Sequence, residues 1–134
     1  MTHSGSCLCA AISFTVEGAL RNVLHCHCVN CQKSSGNYVA ATSCELANLT
    51  VADPTSLLRW YDLGYAQYGF CATCGSRLFW QGTEHPDQIS IQVGCLDDGP
   101  ELPLEAVWFA NDAHHHVPVN HNVAQHVGNG GEYG

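Results

Sequence analysis

Residues 11–16, Ala-Ile-Ser-Phe-Thr-Val, alternate strictly and put Ile12, Phe14 and Val16 on one face. A period of two marks a strand with one buried side. Residues 20–25 read as its antiparallel partner across a turn at Glu17-Gly18. Further strands are expected at 38–43, 48–51, Leu57–Tyr61, Ala66–Phe70, Arg77–Gln81, Ile89–Val93 and Glu105–Ala110. Asp53-Pro54, Asp62-Leu-Gly64, Gly82–Asp87 and Gly94–Pro103 separate them as breaks, turns and loops. Only Gln32–Gly36 suggests helix, a single turn ended by Gly36. Strands of five or six residues with almost no amphipathic helix predict an all-β fold of short antiparallel strands. No repeat or linker interrupts the pattern, so residues 1–134 read as a single domain. The tail, 113–134, is rich in His, Asn and Gly and is the segment expected to be loosely ordered.

Nine cysteines change the picture. Three fall within six residues, in His25-Cys26-His27-Cys28-Val29-Asn30-Cys31. Two pairs flank them, Cys7-Leu8-Cys9 upstream and Cys71-Ala-Thr-Cys74-Gly75 downstream. In an extended strand residues i and i+2 face one side, so Cys7 and Cys9 can grip one ion. The two-residue spacer of Cys71 and Cys74 lets a chain wrap a metal, and Gly75 suits the unusual dihedral of such a turn. The two pairs together make four thiolates, the closed set of a structural zinc. Cys26, Cys28 and Cys31 then supply three thiolates and leave a position open, as catalytic zinc sites do. Spacing alone leaves other groupings possible, with Cys71 or Cys74 shared with the triple, or His25 or His27 closing it. Strand alternation turns His27 away from Cys26 and Cys28. Cys44 and Cys95 stand alone and read as small apolar residues.

Charge narrows the partners. Acidic residues outnumber basic ones 12 to 4, and Arg21, Lys33, Arg59 and Arg77 cannot form a nucleic-acid stripe. No apolar run approaches membrane length and no signal-like start is present, so a cytoplasmic location is expected. A reducing compartment favours metal over disulfides for these thiols.

Three motifs in this order resemble the glutathione-dependent formaldehyde-activating enzyme (GFA) family, which includes centromere-protein-V-like proteins. They are Gly5-Ser-Cys7-Leu-Cys9-Ala-Ala-Ile12, His25-Cys-His-Cys-Val-Asn-Cys-Gln-Lys-Ser-Ser-Gly36 and Gly69-Phe-Cys-Ala-Thr-Cys-Gly-Ser76, with Gly94-Cys-Leu-Asp-Asp98 and Leu104–Phe109 adding a C-terminal match. The resemblance covers a core of about residues 4–112 and implies a β-tent fold with two zinc ions per chain. It implies structural ligands Cys7, Cys9, Cys71 and Cys74, and a labile, substrate-facing zinc on Cys26, Cys28 and Cys31. It implies a carbon–sulfur lyase that joins glutathione to formaldehyde, giving S-hydroxymethylglutathione, and reverses the step. Tyr68 stands where members often carry Arg, and Ala106 where a His commonly occurs.

Three functions follow as expectations. The first is a zinc-dependent lyase acting on adducts of a small-molecule thiol and an aldehyde, with His27 the one general-base candidate. The second is a non-catalytic, zinc-stabilised module that binds glutathione or a partner. The third is a redox or zinc-buffering role for the three-cysteine cluster. The aromatic residues Trp60, Trp80, Trp108, Phe70, Phe79 and Phe109 read mainly as core, His114–His116 as an exposed tail, and Asp97-Asp98-Gly99-Pro100 as a solvated turn.

Overall fold

A computed structural model describes residues 1–129. The chain runs β1 (Thr2–Ser6), β2 (Ser13–Glu17), β3 (Val23–Cys26), α1 (Val29–Ser35), β4 (Val39–Glu45), β5 (Leu49–Ala52), β6 (Leu58–Asp62), β7 (Ala66–Cys71), β8 (Arg77–Gly82), β9 (Gln88–Gln92), β10 (Leu104–Trp108) and β11 (Ala124–Gln125). Three single turns of 3₁₀ helix punctuate the connections. The strands form two sheets, one of three strands in the order β1-β2-β5 and one of eight in the order β11-β10-β3-β4-β9-β8-β7-β6. Pairing is antiparallel except where β10 runs parallel to β3 and to β11. The expectation of an all-β fold holds.

Alternation decides what each face of the large sheet does. On β4 and β9, Cys44, Ile89 and Ile91 point to the core, where they meet Ile12, Phe14 and Val16 of the small sheet's side. Phe14 meets Phe79 edge-on, ring centroids 5.2 Å apart, a geometry worth about 1 kcal/mol beyond the area it buries. The intervening positions Val39, Ala41 and Ser90, together with Leu24 and Cys26 of β3, face the opposite side and line a cavity.

One irregularity breaks this alternation. The register of β7 against β8 shifts between Gly69 and Phe70, so Gly69 opposes Phe79 while Phe70 opposes Arg77. Consecutive residues Leu78 and Phe79 therefore both enter the core. Such a bulge re-aims the residues before it. Arg77, which strict alternation would place on the Phe79 side, joins Trp80 along the cavity instead.

The structure corrects several expectations. Residues 20–25 do not pair with the first alternating strand; β2 pairs with β1 and β5, while β3 pairs with β4 and β10. β1 is a strand that lacks an apolar pattern, Thr-His-Ser-Gly-Ser, and is recruited by backbone pairing. The Asp97-Asp98 run is more than a solvated turn: Ser6 Oγ donates to Asp97 at 2.6 Å, and His3 Nδ1 meets Asp98 at 2.9 Å. Helix α1 is two turns rather than one, with Gly36 as its left-handed C-cap at φ 91°. The tail is not wholly loose, since β11 pairs with Ala106 and Val107 and Gly128 O accepts the Phe109 N–H at 3.0 Å. Positions 130–134 of the expected tail lie outside the described residues.

Candidate metal centres and the cavity between them

The first set of sulfurs joins the two sheets. Cys7 and Cys9 sit in a tight turn after β1, not in an extended strand as expected. The turn is closed by Cys7 N–H to Ile12 O and Ala10 N–H to Cys7 O, both 3.0 Å, with Ala10 at φ 65°. Cys71 ends β7, and the chain folds back through Gly75 N–H to Cys71 O at 2.8 Å, with Gly75 at φ 78°. Ser76 couples the two turns: its Oγ accepts the Leu8 N–H at 2.9 Å and lies 3.3 Å from Cys74 Sγ. All four sulfurs lie within 4.8 Å of one another. Cys7 to Cys9 is 3.6 Å and Cys9 to Cys71 is 3.8 Å. A tetrahedron with zinc–sulfur bonds of about 2.3 Å has edges of about 3.8 Å, so the separations suit zinc and far exceed a disulfide.

The second set is built around the start of α1. Cys26 ends β3, Cys28 is the N-cap, and Cys31 lies in the first turn. The Cys28 sulfur accepts the Cys31 N–H at 3.4 Å, so the same atom caps the helix and faces its two neighbours. The three sulfurs lie within 4.8 Å, and among the described residues no fourth Cys, His, Asp or Glu joins them. His27 points away, as alternation requires. It is 2 % exposed, its ring packs on Tyr38 at 4.9 Å, and its Nδ1 has no partner.

Proton sharing within each set supports cation binding. Hydrogen bonds from the Cys26 and Cys31 thiols, helped by the Cys31 and Asn30 N–H groups, hold Cys28 down to about 2. That shared proton pushes Cys26 up to about 11 and raises Cys31 further still. In the first set Ser76 holds Cys74 down to about 5. Cys9 is drawn down by the Ala11 N–H, but desolvation and its thiol neighbours leave it at about 11. Thiols this close cannot all ionise alone. A soft dication is the group that allows it, and the donor sets fit zinc. Cys44, buried in the core, and Cys95, partly buried beside it, belong to neither set, and burial lifts both thiols to about 11.

The second set opens on a cavity of about 620 Å³. Trp80, Trp108 and Phe109 form apolar wall; Trp108 is at the same time buried in a small core cluster with Leu24 and Ala106, and Phe79 is core as expected. Phe109 holds a left-handed backbone at φ 54°, a strain of the kind that collects at functional sites. The Asn30 side chain donates to the Tyr65 hydroxyl oxygen at 2.7 Å, which leaves the tyrosine proton free to point into the cavity. Burial raises the Tyr65 hydroxyl above its ordinary value, and the three nearby sulfurs add to the effect. Tyr65, Arg77 and Ser90 were not singled out from sequence; Arg77 carried one weak signal, a charge directly after a cysteine knuckle. His114, His115 and His116 are exposed, as expected for the tail, and the His114 and His116 rings stack with centroids 5.9 Å apart. Among the described residues no helix is long and apolar enough to cross a membrane.

The model of a family described as glutathione-dependent formaldehyde-activating enzyme matches residues 2–112, a span that includes both cysteine sets, α1 and β1 through β10. A crystal structure of a Rhodobacter sphaeroides protein is similar with a TM-score of 0.61 and 26% sequence identity, over 75% of this chain and 98% of that one. The chain, with four sulfurs joining its sheets and three opening on a cavity, belongs to the glutathione-dependent formaldehyde-activating enzyme family.

Proposed function

We propose that the chain is a zinc-dependent carbon–sulfur lyase acting on thiol–aldehyde adducts, of the S-(hydroxymethyl)glutathione synthase type, with glutathione and formaldehyde as the substrate pair. One observation carries the reading: four sulfurs close on themselves beside the core, while three open on a cavity. In this reading Cys7, Cys9, Cys71 and Cys74 hold a structural zinc, and Cys26, Cys28 and Cys31 hold a second. Bound there, zinc supplies the positive charge that keeps a thiol ionised near neutral pH.

The chain's own residues handle binding, orientation and the proton. In the forward direction the substrate sulfur attacks the aldehyde carbon, a C–S bond forms, and the carbonyl oxygen gains the proton that the thiol lost. The reverse breaks that bond and returns the proton to sulfur. The Tyr65 hydroxyl, its oxygen already engaged by Asn30, donates a hydrogen bond to the oxygen on which charge develops. Trp80 and Trp108 exclude water from the site.

The second reading, a binding module without turnover, draws on His27. The one general-base candidate of the sequence has its Nδ1 buried and is absent from the cavity wall. Exchange between glutathione and formaldehyde, followed by NMR, separates the two. The lyase reading expects exchange that scales with protein concentration and disappears in Cys28→Ser. An exchange rate equal to that of buffer, with stoichiometric binding of the adduct, would establish the binding module instead.

A further inference from the structure

Arg77 is 8 % exposed and makes no ion pair among the described residues. Its Nη1 donates to Ser34 Oγ, and its guanidinium lies 4.5 Å over the Tyr68 ring. Its Nε–H, fully enclosed, has no acceptor at all. A buried cation without a counter-ion is costly, and a donor left unmet adds to the cost. One strand away, Ser90 is 2 % exposed and its hydroxyl likewise has no partner. Both residues line the same cavity as Cys26, Cys28 and Cys31.

Their placement is specific. The bulge in β8 turns Arg77 off the core side, and without it the guanidinium would face Phe14 and Phe79. The contacts that fix it are neutral. Tyr68 offers a ring face, and Ser34 sits on α1, with its own hydroxyl donating to Asn30 O at 2.6 Å. They orient the guanidinium and leave its charge unbalanced. In a chain with only four Lys and Arg, two of them, Arg21 and Arg77, line this one cavity.

We propose that Arg77, with the Ser90 hydroxyl, is the seat for a carboxylate of the substrate, so that the cavity selects thiols that carry an acidic group over neutral thiols. A carboxylate matches the planar edge of a guanidinium, accepts from a hydroxyl at the same time, and supplies the missing charge. This inference rests on reading the cavity as the thiol-substrate site and adds which end of that substrate is recognised.

The test uses the zinc-loaded protein and two probes, 3-mercaptopropionate and its methyl ester. They share the thiol and the carbon chain, and the ester caps the carboxylate with a methyl group, which removes its charge. The expected result is a carboxylate preference of about tenfold to a hundredfold in affinity by titration calorimetry, the scale of charged hydrogen bonds. The chain has three arginines, so the Arg77 Nε–H resonance is assignable by ¹⁵N NMR in the unaltered protein. It shifts with the acid and stays with the ester. Ser90→Ala lowers the preference about threefold to tenfold. Arg77→Met removes it, and Arg77→Lys restores part of it. Should Arg77→Met fail to fold, the wild-type resonance and Ser90→Ala still decide. Equal affinity for acid and ester, or an Arg77 resonance that ignores both, overturns the seat. The lyase reading fails separately: a preserved carboxylate preference without aldehyde exchange removes the lyase and keeps the seat. Exchange at equal rates with acid and ester does the reverse.

Discussion

Replacing Cys71 with Ser tests the division between the two sulfur sets. Cys71 is completely buried, at the end of β7, and its sulfur lies 3.8 Å from that of Cys9, 62 positions away in sequence. A cross-link that closes a loop of this length restricts the unfolded chain by about 4 kcal/mol in the chain-entropy model. The second set spans only Cys26 to Cys31, and the same arithmetic for so short a loop gives about 2 kcal/mol. A closed four-thiolate zinc site contributes about 10 kcal/mol or more to the folded state, against a typical total stability of about 5–15 kcal/mol. Cys71→Ser is therefore expected to be unfolded or insoluble. Cys28→Ser should keep its fold and lose one metal ion. Elemental analysis before and after dialysis against a mild chelator, with far-UV circular dichroism alongside, reads both. Wild type should fall from two zinc ions to one with its spectrum unchanged. Folded Cys71→Ser beside unfolded Cys28→Ser would refute the reasoning, as would two ions that leave wild type only together with the fold.

Other outcomes follow from the packing. Phe79→Ala empties the centre of the inter-sheet core and should cost about 3–5 kcal/mol, read as a lower denaturant midpoint. Gly5→Ala should cost about 3 kcal/mol in the same assay, because the added methyl would lie 2.2 Å from Phe14 Cζ and 2.4 Å from the Cys95 carbonyl oxygen, and the latter is backbone. The His3 ring beside Asp98 holds its carboxyl below the ordinary value. A depressed carboxyl stabilises the fold above its unfolded pKa, about 3.9, and that contribution fades as pH falls through the folded value. Thermal melts of Asp98→Asn against wild type should thus differ at pH 6 and converge well below pH 4; a constant difference would rule out this linkage.

Where strands lie could be read from alternation, since Ile12, Phe14 and Val16 or Ile89 and Ile91 mark one face locally. Which strands pair could not. β3 chose β4 and β10 over the nearer β2 because partners are set by contacts distant in sequence. β1 and β11 escaped notice because neither carries an apolar pattern, and each is held by hydrogen bonds its neighbours offer. Short spacings made the pairs Cys7 and Cys9, Cys71 and Cys74, and the triple of Cys26, Cys28 and Cys31 legible, but not which pair meets which, since Cys9 and Cys71 lie 62 positions apart. The mechanism inferred for Cys7 and Cys9 was wrong in detail, for a turn brings them together where an extended strand was expected. Arg77 and Ser90 were hidden for another reason. Their side of the sheet depends on a single register shift, and no local pattern announces a bulge.

The two faces of the large sheet also separate what the chain can change from what it must keep. Along β4 and β9, Cys44, Ile89 and Ile91 support the fold, while Val39, Ala41 and Ser90 shape the cavity. Adjacent residues thus carry different structural duties. Drift at one set of positions can alter what the cavity admits, step by step, while the alternate set holds the packing constant. Descendants of one such sheet can diverge in the ligands they accept without passing through an unfolded ancestor.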